Sequence, residues 1–195
     1  MAIGRPRAFD VEQALDRALD VFWRKGYEGT TLCDLTAAMG INPPSLYAAF
    51  GNKEGLFRKA IDRYWDLQAA ARDEALSAPT AREVAERLLK GTAKFLGDPC
   101  HPKGCFAVQG ALACGADAEC VRRELEARRG ASQAQIRERL KRAKKDGDLP
   151  ADADPAALAR YLSTVIEGMS VQAASGASRN DLERVAETAL RAFPN

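Results

Sequence analysis

The sequence predicts an all-α protein, on three observations. Apolar residues recur at helical spacing through most of the chain. Alternating β-branched runs bounded by turn residues are absent. Near the front, two short apolar-periodic segments, Leu32–Met39 and Pro44–Phe50, flank a Gly-Ile-Asn joint and run directly into a longer helix. Helices this short are not stable alone, so the pair must be held by something and must present something.

Residues 10–25 carry Val11, Leu15, Ala18 and Phe22 on one face, and Gly26 ends the run. Thr31 is placed to cap the next helix, whose inner face is Leu32, Leu35 and Met39, and Gly40 breaks it. Asn42 is the natural N-cap of the third helix. Proline is tolerated in a first turn, but the second proline biases Pro43 away from helical geometry and points to a start at Pro44. A long run from Lys53 to Leu76 follows, with Leu56, Ala60, Tyr64 and Leu67 on one stripe. A further helix ends near Gly97, "DPCHPKGC" reads as a turn, and "FAVQGALACG" is an almost uncharged segment suited to burial. Residues 117–145 form a charged helix, and the segments 155–174 and 180–193 close the chain.

A helix-turn-helix braced by a preceding helix has this layout. Leu32, Leu35, Met39, Ile41, Leu46 and Phe50 would share a core with Val11, Leu15 and Phe22. The second short helix then turns Pro44, Ser45, Tyr47, Ala48 and Ala49 outward, a charge-free face suited to close approach to a DNA groove. Around it, Ser45 and Tyr47 offer hydroxyls, Lys53 an ammonium, and Thr31 a hydroxyl and a helix-start N–H for phosphate. Arg5 and Arg7 lie in a Gly/Pro-containing arm of a kind that reaches a minor groove. The candidate DNA contacts are therefore Arg5, Arg7, Thr31, Asn42, Pro43, Pro44, Ser45, Tyr47, Ala48 and Lys53.

The net charge of the whole chain is +2, which excludes a generally polycationic binder. Residues 1–66 hold nine Lys/Arg against nine Asp/Glu. Non-specific DNA affinity should be modest, with the acids lying mainly away from the DNA side. No stretch approaches the roughly 18 apolar residues of a membrane span. Five cysteines in a chain that needs no staples suit a reduced, cytoplasmic protein without membrane contact. Cys100, His101 and Cys105 lack the fourth ligand and paired spacing of a zinc site, so neither metal nor cofactor is expected. Nothing orients His101 as a base for an enzyme. Cys100 and Cys105, flanking a turn, are the candidate redox pair.

The stretch "ALDVFWRKGYEGTTLCDLTAAMGINPPSLYAAFGNKEGLFRKAIDRYW" resembles the DNA-binding domain of the TetR family of transcriptional regulators over about residues 8–65. The resemblance rests on Gly26-Tyr27, Thr30-Thr31, Ala37, Gly40, Ser45-Leu46-Tyr47, Phe50 and Lys53-Glu54-Leu56. It implies phosphate contacts at Tyr47 and Lys53 and a helix-start contact at Thr31. Pro43-Pro44 departs from the family pattern, where a polar residue and a small one are common, and leaves only apolar base contacts there.

The resemblance further implies a homodimer on a palindromic double-stranded DNA operator, and a small-molecule effector pocket. Residues 1–52 would be the DNA-binding domain with its basic arm, and residues 53–195 the effector-binding and dimerisation domain. Pocket candidates on the middle helices are Trp65, Leu89, Phe95, Phe106, Gln109 and Tyr161, a set that suggests an uncharged or aromatic ligand. Tyr161, Val165, Met169, Val185, Leu190 and Phe193, with Gly168 allowing close approach, form the expected dimer face.

Overall fold

Nine helices are seen among the described residues, 9–112 and 119–194, of the computed structural model: α1 (Val11–Lys25), α2 (Leu32–Met39), α3 (Pro43–Phe50), α4 (Lys53–Leu76), α5 (Ala81–Leu96), α6 (Phe106–Leu112), α7 (Glu119–Lys145), α8 (Pro155–Ala174) and α9 (Arg179–Ala192). Their ends follow local chemistry. Asp10, Thr31, Asn42, Asn52, Thr80, Asp154 and Ser178 each accept a hydrogen bond from the first-turn backbone of the helix they precede. Thr31 and Asp34 complete a reciprocal capping box on α2.

Gly40 leaves α2 in the left-handed region, φ 69°, while the Ile41 N–H donates to the Thr36 carbonyl at 3.1 Å. A side chain there would strain the turn that aims α3. α3 begins at Pro43, one residue before the sequence expectation. Both prolines fall within its first turn, where backbone N–H groups have no helical partner to lose.

Two apolar cores are joined by aromatic residues. The first holds Leu15, Ala18, Phe22 and Trp23 of α1, Leu35 and Met39 of α2, and Leu46 and Phe50 of α3. It continues with Leu56, Phe57, Ala60, Ile61 and Tyr64 of α4, and with Phe106, Val121 and Leu125. Packing therefore runs through residue 52 without a break. The short helices α2 and α3 are held because each plants two large apolar residues in this core. The second core is built by α5, α7, α8 and α9 around Leu89, Leu140, Leu162, Met169, Leu182 and Ala186. Phe95 and Cys105 touch both cores.

Arg139 is buried, with its guanidinium donating to the carbonyls of Leu76, Ala78 and Pro79 at 2.6–3.0 Å. It thereby closes the C-terminal end of α4, where carbonyls lack helical partners. Leu67, expected on the inner stripe of α4, is 47% exposed. The stripe turns away from the first core beyond Tyr64, where a cavity begins.

Candidate nucleic-acid interface and ligand cavity

α3 turns Leu46 and Phe50 into the core and leaves Pro43, Pro44, Tyr47 and Ala48 exposed, with Ser45 and Ala49 half-buried. This is the charge-free outward face expected from the sequence. Asn42 accepts from the Ser45 N–H through Oδ1 at 2.9 Å, which fixes its side chain at the helix start. Lys53 opens α4, and its ammonium lies 4.5 Å from the centre of the Tyr27 ring. Partial burial lowers its pKa, and Glu28 partly opposes that shift.

Thr31 departs from expectation. Its hydroxyl donates to Asp34 Oδ2 at 2.8 Å and accepts from the Asp34 N–H. The one hydroxyl proton is committed to the cap, so no hydroxyl donor is left for phosphate. Asp34 is held well below the usual carboxylate range by Lys25, 2.6 Å away, and by the Thr31 N–H and hydroxyl. Arg5 and Arg7 lie outside the described residues.

Many acids of this region are neutralised by local pairing. Asp16 and Glu12 meet Arg63, Asp20 meets Arg24, Glu54 meets Arg58, and Asp34 meets Lys25. The neutral balance of the segment is thus largely an arrangement of pairs, and α3 itself carries no charged residue.

A cavity of about 230 Å³ lies in the C-terminal half, between α4, α5, α6, α7 and α8. Of the pocket candidates, Trp65 and Phe95 line it. Leu89 does not, being fully buried in the second core. Phe106 is buried in the aromatic junction. Gln109 turns back to donate to the Lys103 carbonyl at 3.2 Å, and the Tyr161 hydroxyl donates to the Ala189 carbonyl at 3.0 Å, towards α9. α6 reaches the cavity through Ala107 and Val108 instead.

The lining carries more charge than the candidate set, which suggested an uncharged or aromatic ligand. Arg72, Arg87, Arg129 and Glu167 all contribute to the wall. Sequence reasoning missed these, but a signal exists. On α7 the buried residues Val121, Leu125, Ile136, Leu140 and Ala143 form a stripe, and Arg129 and Ser132 fill its gap. On α4 the spacing Phe57, Ile61, Tyr64 continues to Gln68 and Arg72 before Ala75. Here Gln68, Arg72, Arg129 and Ser132, which interrupt the two apolar stripes, all line the hollow.

The cavity is connected to the N-terminal core. Tyr64, which lines it, donates through its hydroxyl to Cys105 Sγ at 3.0 Å, and Trp23 Nε1 donates to the buried Gly104 carbonyl at 3.1 Å. The Trp23 ring meets Tyr64 edge-on at 4.9 Å and stacks with Phe95 and His101.

Cys105 is half-buried in the cavity wall, and burial raises its pKa. The His101 ring stacks on Trp23. Cys100 is exposed, and its pKa is raised by Asp98. Both are free thiols. Cys114 lies outside the described residues.

On the expected dimer face, Met169, Leu190 and Phe193 are buried within the protomer's own second core. They occupy the inner side of an apolar band too wide for periodicity to divide. Tyr161 and Val165 are half-buried, and Val185 is exposed. Val171, not anticipated, is exposed beside Gly168, around which space is open. Among the described residues, no helix is long and apolar enough to cross a membrane, and no cluster of three metal-ligating side chains is present.

A helix-turn-helix with an exposed second helix, set on a larger helical body with its own cavity, defines a transcription regulator of the one-chain, two-domain kind. The chain belongs to the TetR family. Residues 14–60 match the family of bacterial regulatory proteins of tetR type, and residues 82–189 match the tetracyclin repressor-like C-terminal domain. It is 37% identical over 194 residues to the HTH-type transcriptional repressor ComR of Escherichia coli (strain K12), spanning 98% of this chain and 92% of that one. An uncharacterized HTH-type transcriptional regulator of Bacillus subtilis (strain 168), YezE, is 35% identical over 83% of this chain and 84% of its own. Among solved structures, a cysteine-substituted variant of the TetR family regulator CifR, complexed with 26-base-pair operator DNA, superposes with a TM-score of 0.94. It is 49% identical, and the match covers 98% of this chain and all of that one.

Proposed function

We propose that this chain is a repressor that binds a palindromic operator as a homodimer and leaves it when a small molecule occupies the C-terminal cavity. The observation that carries the reading is the α3 face, where Pro43, Pro44, Tyr47 and Ala48 stand exposed and uncharged on a helix anchored by Leu46 and Phe50. Such a face enters a major groove without electrostatic cost, and Tyr47, Asn42 and Lys53 at its edges supply donors to phosphate. The operator complex of CifR and the repressor role of ComR support this reading by similarity. Residues 1–52 act as the DNA reader, and residues 53–195 hold the effector and the partner subunit. Two readers would meet successive major grooves, about 34–36 Å apart, and effector binding acts by favouring a different separation.

A mobility shift on DNA flanking the chain's own gene tests the proposal. A protein that discriminates no segment of that DNA from bulk sequence would refute it. The competing idea of a thiol switch is weaker, because burial at Cys105 and Asp98 at Cys100 both disfavour the reactive thiolate. Cys105→Ser should leave the response of the operator complex to mild oxidant unchanged from wild type.

A further inference from the structure

The wall of the cavity is mostly apolar, with Trp65, Leu88, Phe95, Ile136 and Ile166 among its residues, yet it contains two arginines that each keep one buried donor, the Nε, unpaired. The Nε of Arg72 and the Nε of Arg129 are each shielded from solvent and have no hydrogen-bond partner. The nearest carboxylates stand off. Asp73 lies 3.9 Å from Arg72 Nε, and Glu167 lies 4.0 Å from Arg129 Nη1, both beyond hydrogen-bonding distance. The Asp73 side chain is turned largely to solvent, at 73% exposed, whereas Glu167, 43% exposed, stays in the cavity wall.

A shielded, unpaired charged donor is costly and ordinarily finds a partner. Here two occur in one cavity. Both arise at positions where the stripe of their helix calls for an apolar residue. A third guanidinium, Arg87, joins the wall, and Glu167 is the one carboxylate in the described lining, so positive charge predominates. A guanidinium presents a rigid planar fork of N–H donors that matches a carboxylate in bidentate fashion.

We infer that the cavity binds a small amphipathic carboxylate, its charged head taken by Arg72 and Arg129 and its apolar body set against Trp65, Phe95, Ile136 and Ile166. The volume of about 230 Å³ falls below the roughly 300–1,000 Å³ of pockets for drug-sized ligands, so the occupant is a compact acid. The inference rests on the proposal above that this cavity is the effector site, and it names the chemistry of the effector.

The test uses the full-length protein and defined probes. 4-Methylbenzoate and hexanoate are titrated beside their amides, 4-methylbenzamide and hexanamide, with calorimetry and tryptophan fluorescence as readouts. The acids should bind at least about tenfold more tightly than the amides. Arg72→Gln and Arg129→Gln should each reduce affinity for the acids by about tenfold or more, and affinity for the amides by much less. Arg129→Lys keeps the charge without the fork and should fall between. Glu167→Gln removes a competing carboxylate and should tighten acid binding.

Equal binding of acids and amides overturns the inference. So does acid binding unaltered in both glutamine variants, or the absence of any acid binding at millimolar concentration. Phenyl phosphate displacing 4-methylbenzoate at roughly tenfold lower concentration would assign a phosphoryl head and overturn the carboxylate. Operator release, measured in parallel, separates the two proposals. An acid that binds through the arginines without releasing DNA leaves the anion site standing and removes the effector role. Release by the neutral amides does the reverse.

Discussion

Lys53 and Tyr47 border the α3 face and differ in how they are held. Tyr47 is 47% exposed and projects from a helix whose opposite side is locked in the core, whereas Lys53 lies against the Tyr27 ring. A phosphate beside Lys53 would replace hydration that partial burial has already removed. Lys53→Ala should therefore weaken operator binding to a similar degree across sequences and reduce the salt slope by about one. Tyr47→Phe should weaken binding by loss of one hydroxyl donor, with an unchanged melting temperature. Substitutions at Pro44 and Ala48 should shift sequence preference instead. A Lys53→Ala protein with wild-type affinity and salt slope would remove that residue from the phosphate contacts. The caps at Thr31 and Asn42 were legible in the sequence because the cap chemistry is local. The second use of Thr31 was not, because a hydroxyl has one proton and only the structure shows Asp34 taking it. Arg72 and Arg129 do not stand out in the sequence because each sits in a charged helix, and only the continuity of the neighbouring apolar stripe marks them as facing inward.

At the scale of elements, α8 and α9 illustrate the limit of periodicity. Their apolar residues cover a band wide enough to serve two surfaces, and spacing alone marks Leu190 and Val185 alike as interface. The packing of α5 and α7 against one side separates them. Leu190, Met169 and Phe193 go to the inner side, while Val171 and Val185 remain 43% and 42% exposed on the outer. Single exposed valines are ordinary on a surface. We propose that Val171 and the open Gly168 of α8 and Val185 of α9 belong to the face that meets the partner subunit. Val185→Glu would place an unpaired charge in that interface, at a cost of several kcal/mol. Gly168→Leu would obstruct close approach of the two subunits. Both variants should sediment as folded monomers and lose operator affinity, because one half-site supplies too little binding energy. Leu190→Glu should instead unfold the second core. Folded dimers of both Val185→Glu and Gly168→Leu would move the interface elsewhere on the molecule.

For the whole molecule, the question is how occupancy of the cavity reaches α3. The two cores meet at one cluster of rings. Trp23 belongs to α1, which packs on both α2 and α4; its indole N–H holds the Gly104 carbonyl at the foot of α6, and its ring touches Tyr64 and Phe95, which line the cavity. The elements on either side were legible from periodicity, but this junction was not, because it joins residues 81 positions apart in the chain. Spatial intermediacy is only a suggestion of coupling, and a measured interaction is required. Gly91 lines the cavity and has no atom within 4 Å of where a side chain would begin, so Gly91→Phe fills the hollow without a ligand and serves as a fixed stand-in for occupancy. Trp23→Phe keeps an aromatic ring but deletes the donor to Gly104, leaving a buried carbonyl unpaired at a cost of about 1–3 kcal/mol. If the junction transmits occupancy, Gly91→Phe should weaken operator binding in the wild-type background and much less in Trp23→Phe. The double-mutant cycle on operator affinity should then show an interaction energy above about 0.5 kcal/mol. Additivity of the two changes would mean that the cavity acts on the readers by another route, through the α8–α9 face and the separation of the subunits.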